Sequence, residues 1–379
     1  MTDTLLAAEP AEDADCWTRR EILQQPGTLM ETQALLERDA EALEAFLRPL
    51  LARPELRIVL AGAGTSAFIG ESIAPWLTRL LGRAVETIAT TDLVSAPDLY
   101  LRPDAPVLLV SFGRSGNSPE SIAAVELADA LAAEAHHLVI TCNAEGALAT
   151  RAGRRSHVII LPETTHDRGF AMTSSYSAMM LAVLAAFSGP LTVRERTEAI
   201  AAAVGEVAQA CEPGMRGLAA CGFKRVVYLG SGPFKGLAHE AALKLLELSD
   251  GKVVTAFETP LGFRHGPKTI VDRATLVVVF VANDPLTRRY DLDIVEELRS
   301  DGCCGGLMTI SAQPDDGSDI FVPQMATAQD ADLLFPFIVP AQLFALHLSI
   351  ALGLTPDTPN KSGTVNRVVQ GVRIHTRAR

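Results

Sequence analysis

The chain has 379 residues, is 48% hydrophobic and carries a formal net charge of −12 at pH 7. This acidity argues against nucleic acid or an anionic membrane surface as a partner, because both would be repelled. The length is typical of about two domains. The six cysteines form no C-x-x-C pair, so we predict no metal centre and free thiols in a reducing cytoplasm. The acidic N-terminal stretch does not resemble a secretory signal.

The first half of the chain is predicted to form an arm, a long helix and a sheet. Residues 1–30 are predicted to be a flexible arm that ends in a docking segment, and an amphipathic helix is predicted at 31–52. Four apolar runs follow and predict strands at 57–64, 107–113, 137–143 and 157–162. Their Val, Ile and Leu residues are continuous rather than alternating, which is typical of parallel strands covered on both faces.

The second half of the chain repeats this pattern. An Ala-rich helical segment at 191–220 leads to strands predicted at 225–230, 252–257, 274–282 and 306–311. AGAGTSAFIGESIA in the first half matches LGSGPFKGLAHEAA in the second, since both predict a strand, a Gly-rich turn and a helix. We therefore predict an α/β fold of two duplicated domains, each a parallel sheet flanked by helices in three layers. The predicted boundaries are 31–200, 201–355 and a tail at 356–379.

One apolar stretch, residues 335–353, approaches the length of a membrane span. It contains Pro336, Pro340, Gln342 and His347, and the sequence offers no second candidate. We therefore predict a helix buried in the protein core rather than one in a membrane.

The loops that follow the strands are expected to hold the function, because ligands of parallel sheets bind at the carboxyl ends of the strands. The first loop, GAGTSA at 62–67, matches the dinucleotide fingerprint G-x-G-x-x-A, and Glu86 lies where a ribose-binding carboxylate is expected. A nicotinamide enzyme is thus one interpretation. The match is weak, because any phosphate-bearing ligand at a helix start favours small residues there.

The second loop, SFGRSGNSPES at 111–121, is more informative. Pro119 suits the first position of a helix, and Ser118 or Asn117 suits the N-cap. Ser115, Asn117 and Ser118 bring hydroxyl and amide donors to the positive end of a helix dipole, where they could hold a phosphate monoester. The alternative is an ordinary capped helix after a Gly-rich turn.

The third loop leads into the segment TSSY, in which Thr173, Ser174 and Ser175 either cap the following helix or face a ligand. A helix is also predicted at 236–250, and it carries a few polar side chains among residues that are otherwise mostly Ala and Leu.

Three polar side chains of that helix, Glu240, Lys244 and Glu247, fall within about 60° of one another around its axis. They form either a solvated stripe of ion pairs or a carboxylate and an ammonium aimed at one substrate. His265, in the loop RHGP, is either polar surface or a group that titrates near neutrality and opens a sugar ring.

Together these motifs resemble the sugar isomerase (SIS) fold in tandem, and the resemblance covers nearly the whole chain. The isomerase half of glucosamine-6-phosphate synthase has the same tandem arrangement. The closer resemblance is to the AgaS-type proteins, described as galactosamine-6-phosphate deaminase/isomerase or tagatose-6-phosphate ketose/aldose isomerase. The motifs that carry it are SFGRSGNSPES, RGFAMTSSYS, GFRHGP and GTVNRVVQGVRIH.

The resemblance implies catalytic roles for three residues. Glu247 matches the carboxylate that moves a proton between C1 and C2, and Lys244 matches a lysine on the same helix. His265 matches a ring-opening histidine that a neighbouring subunit donates in the synthase, which implies a homodimer or a higher homo-oligomer. Two points stay open, because Leu246 replaces a second lysine of the synthase motif and Glu258 is an alternative base.

The resemblance also implies the groups that bind the substrate. The sugar hydroxyls or the phosphate would contact the first loop, and the phosphate the second loop. Thr173 and Ser174 are further candidates, and the tail would complete the site through either Lys361 or Arg367. The full set of implied binding residues is Gly64, Thr65, Ser66, Arg114, Ser115, Asn117, Ser118, Thr173, Ser174 and Arg367.

The activity implied is conversion of galactosamine-6-phosphate, or a close hexosamine-6-phosphate, to a ketose 6-phosphate and ammonia, with no metal or redox cofactor. If C2 carries a hydroxyl, the same residues would isomerise a hexose 6-phosphate such as tagatose-6-phosphate. A third interpretation is a non-catalytic sensor of sugar phosphates. The sequence leaves the C2 substituent and the hexose epimer open.

Overall fold

The structure, a computed structural model, describes residues 15–314, 317–369 and 371–375. The strands of the first half are β1 Arg57–Ala61, β2 Val85–Thr87, β3 Pro106–Gly113, β4 Glu134–Thr141 and β5 Ser156–Ile160. Those of the second half are β6 Arg225–Gly230, β7 Val254–Glu258, β8 Thr275–Phe280, β9 Gly306–Ser311 and β10 Ile320–Phe321. Each half forms its own five-stranded sheet.

The two sheets have the same topology. Their orders are β2-β1-β3-β4-β5 and β7-β6-β8-β9-β10, and every neighbouring pair is parallel. This is the flavodoxin-like order, in which ligands bind where the strand order reverses, beside β1 and β3 in the first sheet and β6 and β8 in the second. The predicted duplication of an α/β fold is confirmed.

Helices cover both faces of each sheet. Those of the first half are α1 Trp17–Leu23, α2 Gln25–Leu51, α3 Thr65–Leu81, α4 Thr90–Ser95, α5 Pro97–Tyr100, α6 Pro119–Leu131, α7 Ala147–Thr150 and α8 Ser174–Ser188. Those of the second half are α9 Arg194–Ala219, α10 Pro233–Leu248, α11 Pro260–Phe263, α12 Pro285–Asp301 and α13 Asp330–Ala351.

The core of the molecule is built around α8 and α13, whose residues are almost all buried. Among the described residues, α13 is the one helix long and apolar enough to cross a membrane, and 94% of its most apolar stretch is buried in the protein. The helix predicted for the apolar stretch is therefore a core helix. Its mean hydropathy reflects contact with protein on every side.

The two halves meet where α3 and α10 cross. A Cβ atom on Gly236 would lie only 2.4 Å from the backbone nitrogen of Ser72, so the crossing requires glycine there. The turns that begin these helices are also alike, since Gly64 and Gly232 both have φ of 55° and ψ near −130°. The crossing of α3 and α10 therefore brings residues of the first half next to residues of the second half.

Several boundaries differ from the sequence predictions. The long helix begins at Gln25 rather than 31, because Gln24 and Pro26 allow it to follow α1 directly. Of the predicted arm, residues 1–14 lie outside the described part, and α1 packs through Thr18, Glu21 and Ile22. Strands β2 and β10 escaped prediction because each is only two or three residues long.

Candidate active site

The carboxyl end of the first sheet meets one face of α10. Thr65 is the first residue of α3 and is buried, directly after the Gly64 turn. Lys244 of α10 donates hydrogen bonds from Nζ to Thr65 Oγ1 at 2.9 Å and to Glu247 Oε2 at 2.6 Å. Thr65 Oγ1 in turn lies 3.3 Å from Glu240 Oε1. A hydroxyl from one half thus joins an ammonium and two carboxylates from the other.

Burial controls the charges of this cluster. Burial raises the pKa of Glu240 to about 8, against the opposing effect of the Lys244 ammonium, and the Glu247 carboxylate raises it further. Burial also disfavours the Lys244 ammonium, but the two carboxylates outweigh it and raise the pKa of Lys244. The raised pKa of Glu240 favours its protonated form beside a charged Lys244, which pairs with Glu247, a residue that is 25% exposed. Such a set can hold and transfer protons.

Glu240 also has a carboxyl oxygen without a hydrogen-bond partner in the described part of the chain. Its Oε2 atom is buried and has no hydrogen-bond partner within the described residues. The spacing of Glu240, Lys244 and Glu247 predicted that they share a face of the helix, and that prediction is confirmed. The sequence does not distinguish Glu240 as the buried member of this stripe, because helix periodicity does not tell which end of a stripe is buried.

Arg114 brings a second positive group to the site. It is buried, and its guanidinium donates from Nη2 to the Arg367 carbonyl at 2.9 Å and from Nη1 to the Phe170 carbonyl at 3.4 Å. Burial and the nearby Arg367 charge lower the pKa of Arg114, while the charges of Lys244 and Glu247 interact with it. The tail thus lies against the site through the backbone of Arg367.

The loop at 113–118 is held in a fixed shape. Ser118 is the N-cap of α6 and accepts from Ser121 N, as the sequence predicted. Asn117 Oδ1 accepts from Ala147 N at 2.9 Å, and Ser115 Oγ accepts from Asn117 N at 3.3 Å. Gly116 adopts a left-handed φ of 64°. The start of α6 therefore presents a rigid turn beside β3, as an anion site requires.

Thr173 and Ser174 are bound within the protein. The Asp167 carboxylate accepts the backbone N–H of both residues, at 2.8 and 3.1 Å, and so caps α8. Ser174 Oγ donates to the Glu21 carbonyl at 2.6 Å. Asp167, rather than the side chain of Thr173 or Ser174, therefore caps α8. The predicted capping by these two residues is wrong, and their contact with a ligand stays a prediction. Burial and the Asp167 charge raise the pKa of Glu21 to about 7.

The other predicted residues are separate from this cluster. His265 is exposed after α11, and no side-chain hydrogen bond or ion pair holds it within the described chain. Glu258 Oε1 accepts from Thr259 N at 2.7 Å, so Glu247 rather than Glu258 pairs with Lys244. Lys361 is exposed. Contact of Lys361 or Arg367 with a substrate stays a prediction.

Glu86 has a different role from the one predicted, and His166 is a residue near the site that the sequence analysis did not predict. Glu86, the carboxylate that a dinucleotide would need, instead forms two hydrogen bonds with the Arg57 guanidinium at 2.8 and 2.7 Å. His166 lies near Arg114 and Arg367, and burial together with those charges lowers its pKa. No spacing signal pointed to His166, because its neighbours come from distant loops.

Comparison with known proteins supports this picture. The SIS domain family model matches residues 50–189. D-galactosamine-6-phosphate deaminase AgaS from Escherichia coli is 48% identical over 373 residues, which is 95% of each chain. The chain belongs to the AgaS family of SIS-domain proteins. The AgaS protein of Shewanella is 44% identical and covers 99% of this chain and 96% of its own length.

Solved structures agree with the family. The structure of tagatose-6-phosphate ketose/aldose isomerase from Escherichia coli matches this AgaS-family chain with a TM-score of 0.88 and 43% identity, over 98% of this chain and 99% of that one. The C-terminal domain of glucosamine-fructose-6-phosphate aminotransferase from Francisella tularensis has a TM-score of 0.76 at 19% identity, over 92% of this chain and all of that one. The latter likeness concerns the fold alone.

Proposed function

We propose that this AgaS-family chain converts galactosamine-6-phosphate, or a close hexosamine-6-phosphate, to a ketose 6-phosphate and ammonia. The observation that carries the proposal is the buried network of Thr65, Lys244, Glu240 and Glu247 beside the start of α6. The names of the relatives support the substrate class.

The substrate phosphate binds at the N-terminus of α6. Backbone N–H groups of the loop and the hydroxyls of Ser115 and Ser118 donate to it, and the helix dipole favours its charge. The Arg114 guanidinium adds charge from beneath the loop. Thr65, with Gly64 and Ser66, contacts the sugar hydroxyls from the start of α3. This places C1 and C2 towards α10.

Proton transfer follows on the open-chain sugar. His265 moves the proton that opens the hemiacetal ring. Glu247 takes the proton from C2, which gives an enolamine, and returns it to C1, while the Lys244 ammonium stabilises negative charge on the C1 oxygen. The product is a ketimine at C2. Water adds to its carbon, the C–N bond breaks, and ammonia leaves a ketose. Glu240 holds Lys244 in position.

The test of this proposal compares three substrates. Purified protein is given galactosamine-6-phosphate, glucosamine-6-phosphate and tagatose-6-phosphate, and both ammonia and ketose are measured. We expect ammonia from galactosamine-6-phosphate in equal amounts with ketose. Interconversion of sugars without ammonia from either amine would instead establish the aldose–ketose isomerase, the second candidate, which the name of the Escherichia coli structure favours.

We also propose that the chain acts as a homodimer or higher homo-oligomer in which His265 crosses to a neighbouring site. The support is that the imidazole is exposed and apart from the Lys244 cluster. Subunits carrying Glu247→Gln are mixed with subunits carrying His265→Asn after reversible dissociation. If His265 crosses between subunits, one site of each mixed dimer is intact and activity returns. No recovery in confirmed mixed dimers would place His265 in its own subunit's site.

We place the reaction in the cytoplasm. All six cysteines are free thiols, as expected of a protein that works in a reducing compartment. Localisation of the tagged chain in its native cell by fractionation would test this.

A further inference from the structure

A second cavity, of about 1000 Å³, lies at the carboxyl end of the second sheet. It is bordered by Trp76 and Arg79 near the end of α3, and by Asn283 and Asp284 between β8 and α12. Asp330, the first residue of α13, completes one wall. None of these residues belongs to the site proposed for turnover.

The duplication identifies this cavity as the counterpart of the first site. Gly62 and Gly230 are 168 residues apart (230 − 62), and both would place a Cβ against the residue four positions later in the chain. The same spacing on the paired helices α3 and α10 matches Trp76 with Lys244 (244 − 76). It also matches Arg79 with Glu247. The second half has therefore kept the place of the site and changed its chemistry.

The second cavity cannot take a phosphate where the first one does. Asp284 is the N-cap of α12, as Ser118 is of α6, and each precedes a proline. The Asp284 carboxylate accepts from the backbone N–H groups of Leu286 and Thr287 at 3.1 and 2.9 Å. A fixed negative charge thus already occupies the start of the helix and would repel a phosphate.

The remaining groups suit a sugar that carries an amine. The Trp76 indole lines the cavity, where it can contact the C–H face of a sugar, and it holds its own N–H on Gln329 at 2.7 Å. The Arg196 guanidinium lies over the same ring, 5.4 Å from its centre. Asp284 and Asp330 supply two carboxylates. Asn283, only 9% exposed, donates both amide hydrogens to the carbonyls of Met325 and Ala328, so its Oδ1 is a buried acceptor without a partner. Hydroxyl and ammonium donors match these acceptors.

Arg79 is exposed on the wall and forms no ion pair or side-chain hydrogen bond within the described residues, but its charge acts on both Asp284 and Asp330. The other arginine of the wall, Arg196, is paired with Asp332 at 2.6 Å. Asp284 is exposed like Arg79, and Asp330 is half-buried. Two carboxylates thus face one unpaired guanidinium, and the resulting negative charge favours a cation over a phosphate.

We propose that this cavity is a second, non-catalytic binding site for an unphosphorylated amino sugar, a cationic polyol such as free galactosamine. The site uses no residue assigned to turnover, so it stands or falls separately from the proposed activity. It shares α3 with the first site, since Thr65 begins that helix and Trp76 lies near its end.

The chain offers a direct probe, because Trp17 and Trp76 are its only tryptophans. In a Trp17→Phe background, Trp76 emission is followed during titration with galactosamine and with galactose, in a buffer without Tris, which is itself a cationic polyol. Isothermal calorimetry on the same protein detects binding that leaves the emission unchanged. Asp284→Asn is the test variant, because asparagine also caps helices and only the charge is lost. Asp293→Asn, an exposed position on α12, is the matched control.

We expect saturable binding of galactosamine, at least about tenfold tighter than that of galactose, as one charge-assisted hydrogen bond provides. Asp284→Asn should weaken it by about the same factor, Asp293→Asn should not, and excess galactose-6-phosphate should not displace it. The proposal is overturned by absence of saturable binding in both measurements, by equal binding of galactose, or by displacement with galactose-6-phosphate, which would assign the signal to the first site.

Discussion

Replacement of Glu240 by glutamine tests whether this buried carboxyl is protonated in the folded protein. Glu240 is fully buried, and within the described residues its polar contacts are Thr65 Oγ1 at 3.3 Å and Lys244 Nζ at 3.4 Å. Glutamine has the same shape as protonated glutamic acid and cannot ionise. The variant therefore removes one titration from the folding equilibrium and little else.

The magnitude follows from the pKa of Glu240. The carboxyl titrates near 4.5 without the fold and at about 8 within it, because burial disfavours the anion. The stability that the protonated form of Glu240 contributes to the fold is fully present below pH 4.5. As pH rises towards 8, the unfolded chain loses the proton first, so the free energy of unfolding falls. At about 1.4 kcal/mol per pH unit, the wild type should lose about 2 kcal/mol between pH 6 and 8 that Glu240→Gln does not lose.

The measurement is equilibrium denaturation by urea at pH 6, 7 and 8. The free energy of unfolding of Glu240→Gln, relative to the wild type, should rise by about 2 kcal/mol across this range. Glu41→Gln, at an exposed position of α2, is the matched control and should show no trend. A difference between Glu240→Gln and the wild type that is the same at all three pH values would refute the reasoning, because it would mean that the folded protein holds Glu240 as the anion.

Three further predictions concern turnover, phosphate binding and the crossing of the two halves. Glu247→Gln should lower kcat by about 10² to 10⁴ with little change in substrate affinity, and Glu258→Gln should retain activity; the reverse result in steady-state kinetics would make Glu258 the base. Ser118→Ala should cost about 1 kcal/mol of stability through loss of the N-cap and raise KM, and an unchanged KM would remove Ser118 from the phosphate site. Gly236→Ala should destabilise the protein by about 1–3 kcal/mol through overcrowding, because the new Cβ would lie 2.4 Å from the facing backbone. Gly214→Ala is the control and should not destabilise it, because the space around Gly214 is open. Equal melting temperatures for the two variants would contradict the close crossing.

The fold was largely predictable because its signals are local. Each long strand is a run of continuous apolar residues between a helix and a loop, as burial on both faces of a parallel sheet requires. The repeated Gly-rich turns predicted the duplication, since the same left-handed φ is needed at Gly64 and Gly232. Short edge strands such as β10 escaped, because two residues carry no pattern.

The site was less predictable than the fold, for a different reason. The hydroxyl, amide and carboxylate side chains of a capped helix start have the same composition whether they bind a ligand or only the helix. Thr173 and Ser174 illustrate this, because the partner that occupies their N–H groups is Asp167, whose role no periodicity reveals. Within the described part of the chain, the recorded cap of α6 is the Ser118 hydroxyl, whereas a carboxylate caps α8, and this difference supports the proposed phosphate site at α6.

The same criterion separates the two duplicated sites. At Ser118 the cap is a neutral hydroxyl, and the facing helix supplies Lys244 and Glu247. At Asp284 the cap is a carboxylate, and α3 supplies Trp76 and Arg79 at the matching positions. Because α3 and α10 are fixed against each other at Gly236, each half must present its helix to the other's sheet, whether or not chemistry occurs there. The duplication thus keeps two helix starts opposite α3 and α10, and we propose that the difference in charge between Ser118 and Asp284 decides which of the two cavities admits a sugar phosphate.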